Sequence, residues 1–500
     1  MRIAPLRPIL ISKDEAARRT HFFREFEAAS DIHVSAGRQR VAVIYCDPGK
    51  RSRFAALSQR PWRASSAMTP PLPVRDVAAI VVEPKTTKNV PGGTMTHAIR
   101  LAAMALCAAL IQPASIQQAS AQQSDLPLKI GVIADFTSVY SDIGGQGNVE
   151  ATKMAIEEFG SQMFGKPIEM ITADAQNKAD IASALARKWY GSENVDMIID
   201  MPTSATALAG MEMSKQFEKI MIVTDAASSD ITGKSCSPYT AHWTYDTYGN
   251  AQTVGGAIVK QGGDSWYFIT ADYLFGHSIE RDVSAVVAKA GGKVLGSSRH
   301  PLNNADFSSF LLQAQSSKAK IIGMANGGGD TINTIKQAAE FGIVAGGQKL
   351  AGIVMFISDI HSLGLKLAQG LVITEAYYWD KDDRSRAFGE KFFARMKRMP
   401  TMNQAATYSA TLHYLKAVKA AGTRETKAVL AKMREMKVDD AFTSNGTLRE
   451  DGRMVHSMLL LEVKKPEESK KPWDYYKVLA EVPGDEVFRP MKDGGCPLIK

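Results

Sequence analysis

From Leu128 onward, short apolar runs alternate with stretches whose apolar positions recur every three or four residues. Runs rich in β-branched residues predict strands, and the longer periodic stretches predict amphipathic helices. LKIGVIADF reads as a strand and 147–159 as a helix. PIEMITAD with 180–190 repeats the unit, as do MIIDMP with 203–217 and IMIVTDA with the polar stretch after it. SWYFITAD, HSIERDVSAVVAKAG, KVLGSSRHP, FSSFLLQAQSS, AKIIGMAN, DTINTIKQAAEFG, LAGIVMF and GLVITEAYYW continue the alternation. Helices dominate 381–435, and the last sixty residues read as antiparallel strands with turns at Asn445-Gly446 and Asp451-Gly452.

Alternating strands and helices build parallel sheets covered on both faces. About nine to eleven strands are too many for one comfortable open sheet. The expected fold is therefore α/β, with two doubly wound Rossmann-like lobes. The division expected is 122–245 plus 377–445 for the first lobe, and 246–376 plus 446–500 for the second.

The segment before this pattern is of another kind. From Met95 the chain runs MTHAIRLAAMALCAALIQPASIQQASAQQ. A short start with Arg100, an apolar run from Leu101 to Ile111 and the small-residue site Ala119-Ser120-Ala121 form the order of a secretory signal peptide. The run is about half the ~20 residues a membrane span needs. Residues 95–121 are thus expected to direct export, and the mature protein is expected to begin at Gln122 and to be periplasmic. Residues 1–94 hold 9 of the 21 prolines and show little periodicity. They are expected to be a non-native or disordered extension, with Met95 the true start.

Charge follows the same boundary. The net +8 belongs to residues 1–94, which carry 16 Lys and Arg against 8 Asp and Glu. The remaining chain has 44 of each sign, so a generalised basic surface for nucleic acid is excluded. Of the four cysteines, Cys46 and Cys107 precede the mature part. Cys236 and Cys496 remain, and an oxidising compartment favours one disulfide between them.

No nucleotide-binding glycine pattern, nucleophile elbow or HExxH occurs, and the histidines have no metal-like spacing. A binding protein is expected rather than an enzyme, with no cofactor and no metal. Hydroxyl residues cluster past strand ends, where open α/β sheets bind ligands: Thr137, Ser138 and Tyr140; Thr203, Ser204 and Thr206; Ala227, Ser228 and Ser229. Hydroxyls beside the free N–H groups of a helix start suit a carboxylate. Three aromatic clusters offer walls for a small-molecule pocket: 242–248 with Tyr245 and Tyr248, 273–275, and 377–379 with Tyr377.

With these residues in view, the chain resembles the periplasmic branched-chain amino-acid-binding proteins, the type I solute-binding components of ABC importers. The carrying stretches are IGVIADFTSVYSDIGGQGNVEATKMAIEEF, IIDMPTSATALAGMEMSKQFEKIMIVTDAASSDITG, YFITADYLFGHSIERDV and ATYSATLHYLKAVKAAG. The resemblance implies two lobes joined by three crossings, a membrane permease as partner and a monomer. It also implies that Ser204, Ala226 and Ser228 hold a ligand carboxylate, and that Tyr140, Tyr273 and Phe275 line the pocket. Where the family binds an α-ammonium, this chain reads MANGGGDT and IVMFISD, placing Asn326, Asp330 and Asp359 there without a clean match, and Phe356 in the second stretch is expected to contact the ligand. The resemblance is therefore closest to the aromatic-acid-binding branch, with a branched-chain amino acid next. A ligand-sensing regulator on the same fold and an exported α/β enzyme are the alternative classes.

Overall fold

The computed structural model describes residues 126–500. The extension over 1–94, the signal segment over 95–121, Cys46, Cys107 and the expected mature start at Gln122 lie outside the described residues. Among the described residues no helix is long and apolar enough to cross a membrane.

The first lobe is a five-stranded parallel sheet. Its strands are β1 (Lys129–Ala134), β2 (Glu169–Asp174), β3 (Met197–Asp200), β4 (Ile220–Val223) and β5 (Thr240–His242), in the order β2-β1-β3-β4-β5. The inner strands are continuous apolar runs because helices cover both faces. Ile133, Ile198 and Met221 face α2 (Ala179–Gly191) and α3 (Ser204–Phe217). Val132, Ile199 and Ile222 belong to the larger core shared with α1 (Gly145–Phe159).

The second lobe repeats the plan with β6 (Ser265–Ala271), β7 (Lys293–His300), β8 (Ile321–Ala325) and β9 (Lys349–Gly352) in the order β9-β8-β6-β7, all parallel. Its helices are α4 (Leu274–Lys289), α5 (Ser308–Ser316) and α6 (Gly329–Glu340), followed by the short α7 (Ile357–Leu363). A separate antiparallel sheet joins β10 (Val372–Glu375), β11 (Met458–Val463) and β12 (Tyr476–Val482). In both parallel sheets the order reverses beside the first strand, so each has a switch point there, with a crevice at its C-terminal edge.

The chain passes between lobes three times: after β5, between β10 and α8 (Asp383–Met396), and between α10 (Thr426–Glu435) and β11. The long α9 (Met402–Ala421) lies in the stretch that returns to the first lobe and packs along α1. Trp243 Nε1 donates to Ser409 Oγ at 3.2 Å, and Thr407 Oγ1 is 2.8 Å from Thr224 Oγ1, tying α9 to the ends of the sheet.

Arg453 pins the crossings together. It is fully buried, donates from Nη1 to the Tyr245 carbonyl at 3.0 Å and lies over the Phe488 ring at 4.4 Å. Cys236 and Cys496 are bonded across 260 positions of sequence, with Cα atoms 5.6 Å apart. This bond fixes the C-terminal tail to the loop after β4. Arg489 from the same tail donates to the Ser229 carbonyl at 2.8 Å. A closed loop of this length restricts the unfolded chain by up to about 5 kcal/mol in the chain-entropy account.

Candidate functional site

The loops at the C-terminal edges of the two parallel sheets face each other and enclose a cavity. The space among its lining atoms, including the part open to solvent, is about 340 Å³. Both switch points contribute, so the placement follows from sheet order.

The first lobe supplies the polar wall. Asp135, at the end of β1, accepts from the N–H groups of Thr137 (3.2 Å), Ser138 (2.9 Å) and Tyr140 (3.0 Å). This carboxylate-centred turn carries the Tyr140 ring into the cavity. β3 ends through two non-glycine residues with left-handed backbone, Asp200 (φ 94°) and Met201 (φ 66°). Such strain costs about 1–3 kcal/mol per residue and is characteristic of binding sites. The abrupt exit brings the N-terminus of α3 to the cavity through Pro202, Thr203 and Ser204. Thr203 caps the helix by accepting from Thr206 N–H at 3.2 Å, and Thr206 Oγ1 accepts from Thr203 N–H at 2.9 Å. Capping at that position leaves the first two N–H groups of α3 without intrahelical acceptors. Ser204 Oγ accepts from Ser228 N–H at 3.1 Å, leaving its own proton free for a ligand. Ala226 and Ala227 complete this wall, held by His242 Nε2–H donating to the Ala226 carbonyl at 2.7 Å. Burial depresses the His242 pKa well below the usual imidazole value, so this ring is neutral.

The second lobe supplies an aromatic and apolar wall: Tyr273, Phe275, Gly327, Val354 and Phe356. The apolar run LAGIVMF extends past the end of β9, and its last residues turn into the cavity. Tyr245 stands between the walls, edge-on to Phe356 with ring centres 6.1 Å apart. Desolvation raises the phenol pKa of Tyr140, Tyr245 and Tyr273, which stay neutral hydroxyls.

The lobes are closed on each other. Tyr140 and Tyr273 share a hydrogen bond of 2.7 Å across the cavity. Beside it, α4 grips the loop after β4. Ser228 Oγ lies 2.8 Å from Ser278 Oγ, Ser229 Oγ donates to Asp282 Oδ2 at 2.8 Å, and Arg281 Nη1 reaches Asp230 at 3.2 Å.

Of the residues expected from sequence, Tyr140, Ser204, Ala226, Tyr273, Phe275 and Phe356 line the cavity together. Four others do not. Ser228 lies behind Ser204, and its hydroxyl is engaged with Ser278 across the lobe interface. Tyr248 stands apart under the Arg489 guanidinium, 5.6 Å from the ring centre. Asn326 is saturated inside the second lobe, its Nδ2 near His300 Nε2 (3.1 Å) and Thr334 Oγ1 (3.2 Å), its Oδ1 accepting from Thr331 (2.8 Å). Tyr377 donates to the Ser385 carbonyl at 2.8 Å and packs against Phe388 in the core. The acids considered for an ammonium are engaged as well. Asp330 accepts from Asn303 and Asn304 N–H, and Asp359 from Phe356 N–H at 3.1 Å.

Sequence reasoning missed Asp225 and Asn403, both of which line the cavity. Asp225 was legible in principle, being next to Ala226. Asn403 comes from the first turn of α9, and no local pattern marks it. Among the described residues no group of three or more His, Cys, Asp or Glu side chains could hold a metal ion.

Comparison with known proteins agrees with this geometry. A periplasmic binding protein from Burkholderia mallei is 50% identical, with 75% of this chain and 99% of that one covered and a TM-score of 0.73. A branched-chain amino acid ABC transporter periplasmic ligand-binding protein from Burkholderia xenovorans LB400 is 39% identical, covering 75% and 100%, with a TM-score of 0.68. A solute-binding protein of an ABC transporter from Rhodopseudomonas palustris BisB5, solved with 3,4-dihydroxybenzoic acid, shares the fold at 23% identity, covering 73% and 99%, with a TM-score of 0.66. No curated protein matches the chain. The sequence profile described as periplasmic binding protein matches residues 127–470, and the chain belongs to that family.

Proposed function

We propose that this protein is the exported, monomeric solute-binding component of an ABC importer, and that it closes its two lobes on a small carboxylate. An aromatic acid is favoured as the ligand. One observation carries the reading: the two walls of the cavity differ in chemistry. The first-lobe wall presents the open N-terminus of α3 with the Ser204 hydroxyl, a combination that holds an anion. The facing wall is aromatic and apolar, and its two nearby acids are engaged with backbone N–H groups. Such a wall accepts an aromatic body and offers nothing to an ammonium. The relative solved with 3,4-dihydroxybenzoic acid is consistent with this reading.

A branched-chain amino acid is the second reading. It is favoured by the Asp225 carboxylate on the polar wall and by the description of the Burkholderia xenovorans relative. Titration calorimetry of the purified protein with benzoate, 4-hydroxybenzoate, leucine, isoleucine and valine separates the two. Saturable binding of the benzoates without their consumption supports the favoured reading. Binding of the aliphatic amino acids alone overturns it in favour of the second, and turnover of any ligand overturns both.

A further inference from the structure

Behind the polar wall lies a cluster of buried groups whose hydrogen bonds do not close. Asp200 and Asp225 sit at the ends of neighbouring strands, with side chains almost wholly removed from solvent. Asn148 Nδ2 donates to Asp225 Oδ1 at 3.0 Å. Four acceptors around it lack any donor: both oxygens of Asp200, Asp225 Oδ2 and Asn148 Oδ1. Neither amide atom of the cavity-lining Asn403 has a partner. Unpaired buried polar groups are costly, and two ionised carboxylates side by side without water cannot supply the missing donor. One carboxyl proton supplies it.

The surroundings support one negative charge and no more. Asp225 Oδ2 lies against the first turn of α1, so close to Gly144 that a Cβ there would come within 1.9 Å. A helix N-terminus stabilises an anion at that place. The other groups facing the pair are Asp135 from the end of β1, Asn148 from α1, Asn403 from α9 and the neutral Tyr245 beyond β5. No lysine or arginine among the described residues forms an ion pair with either acid. Desolvation, followed for Asp200 by the charge of Asp225, raises both carboxyl pKa values. From the second lobe, the raised acids Asp330 and Asp359 are the nearest of their kind to the cavity's aromatic residues.

We propose that the Asp200–Asp225 pair is a proton-binding site coupled to the ligand site, so that capture of a carboxylate takes up one proton from solvent. Before capture the pair holds one proton and one negative charge. The incoming carboxylate, resting on the N-terminus of α3, adds a second negative charge in the same small cavity. Asp225 then accepts a proton, and the complex contains the ligand anion and two neutral carboxyls. At roughly 7 Å and an effective dielectric near 20, the repulsion removed changes proton affinity more than tenfold. By linkage, carboxylate affinity must rise as pH falls through the range in which Asp225 titrates. The inference rests on the carboxylate reading above.

The test is titration calorimetry of the full chain with benzoate at about pH 7, in phosphate and in Tris, whose ionisation heats differ. The apparent heats should differ by the equivalent of up to one proton taken up, and affinity should rise by up to tenfold per pH unit between about pH 8 and 6. Asp225→Asn should abolish both effects and, lacking the charge that repels the ligand, bind benzoate more tightly than the parent at about pH 8. A melting curve verifies that this variant folds. Asp200→Asn leaves the cavity lining and the Asp225 carboxyl in place, so this variant should still take up a proton at Asp225 on binding, over a shifted pH range. Equal heats in both buffers with a flat pH profile overturn the proposal while leaving the carboxylate reading intact. Full proton uptake in folded Asp225→Asn also overturns it. Absence of benzoate binding at every pH overturns the carboxylate reading and this inference together.

Discussion

Closure is the step most directly readable from the hydrogen bonds, and Ser229→Ala tests it. Ser229 is fully buried in the loop after β4. Its hydroxyl donates to Asp282 on α4 at 2.8 Å and accepts from Arg281 Nη2 at 2.8 Å. Both bonds join the lobes, and both partners are charged. The bond to Asp282 is buried, and a hydrogen bond to a charged group is worth about 1.5–3 kcal/mol. The bond to Arg281, which is nearly half exposed, adds well under 1 kcal/mol. In an open form water replaces both. Alanine removes the hydroxyl without adding bulk, while Asp282 keeps its bond from Thr247 at 2.6 Å. The closed form therefore loses about 2 kcal/mol relative to the open form. If the ligand-free protein is mostly open, apparent affinity falls by that amount, roughly 30-fold. The cavity lining is untouched, so the loss should appear as faster release with little change in the association rate. Calorimetry gives the affinity and stopped-flow mixing gives the rates. Affinity within twofold of the parent, or a loss confined to association, would refute the assignment of this contact to closure.

Ser204→Ala should weaken carboxylate binding by about 1–3 kcal/mol, measured by calorimetry, and should also lower the melting temperature, because the buried Ser228 N–H loses its acceptor. Gly147→Ala should lower stability by about 1–3 kcal/mol in chemical denaturation. Its Cβ would lie 2.2 Å from Gln404 Nε2, and that amide is held by the Gly144 carbonyl at 3.1 Å. Burial raises the Asp359 carboxyl to about 7. The folded state therefore holds this proton longer than the unfolded state, and the contribution is present below about pH 4 and lost as pH rises to about 7. Replacing it by asparagine should remove that slope, so the variant's melting temperature should gain on the parent's as pH rises across this window. Parallel pH profiles for the two proteins would count against it.

The strand and helix pattern from Leu128 was strong enough to specify two α/β lobes, because a strand buried on both faces must be apolar throughout and a covering helix must be apolar along one stripe. The same reasoning located the strand ends, and therefore Tyr140, Ser204, Ala226, Tyr273, Phe275 and Phe356, since ligands gather where parallel strands end. It failed where composition was the only guide. Tyr248, Tyr377 and Asn326 have the chemistry of a pocket, yet their rings and amides complete hinge and core contacts with Arg489, Phe388 and His300. A side chain's type does not reveal which of two faces it will occupy.

Local sequence determined the elements, the sheet edges and the helix start that suits an anion, because each depends on neighbours within a few residues. Tertiary structure alone decided which loops meet. Ser228 turns to Ser278 instead of the cavity because α4 of the other lobe closes against it. Asn403 arrives on a helix that returns from the second lobe, and Asp200 and Asp225 share one buried space because β3 and β4 are neighbours. Contacts of that range are fixed by strand order and by the three crossings between lobes, and no pattern within a single segment records them.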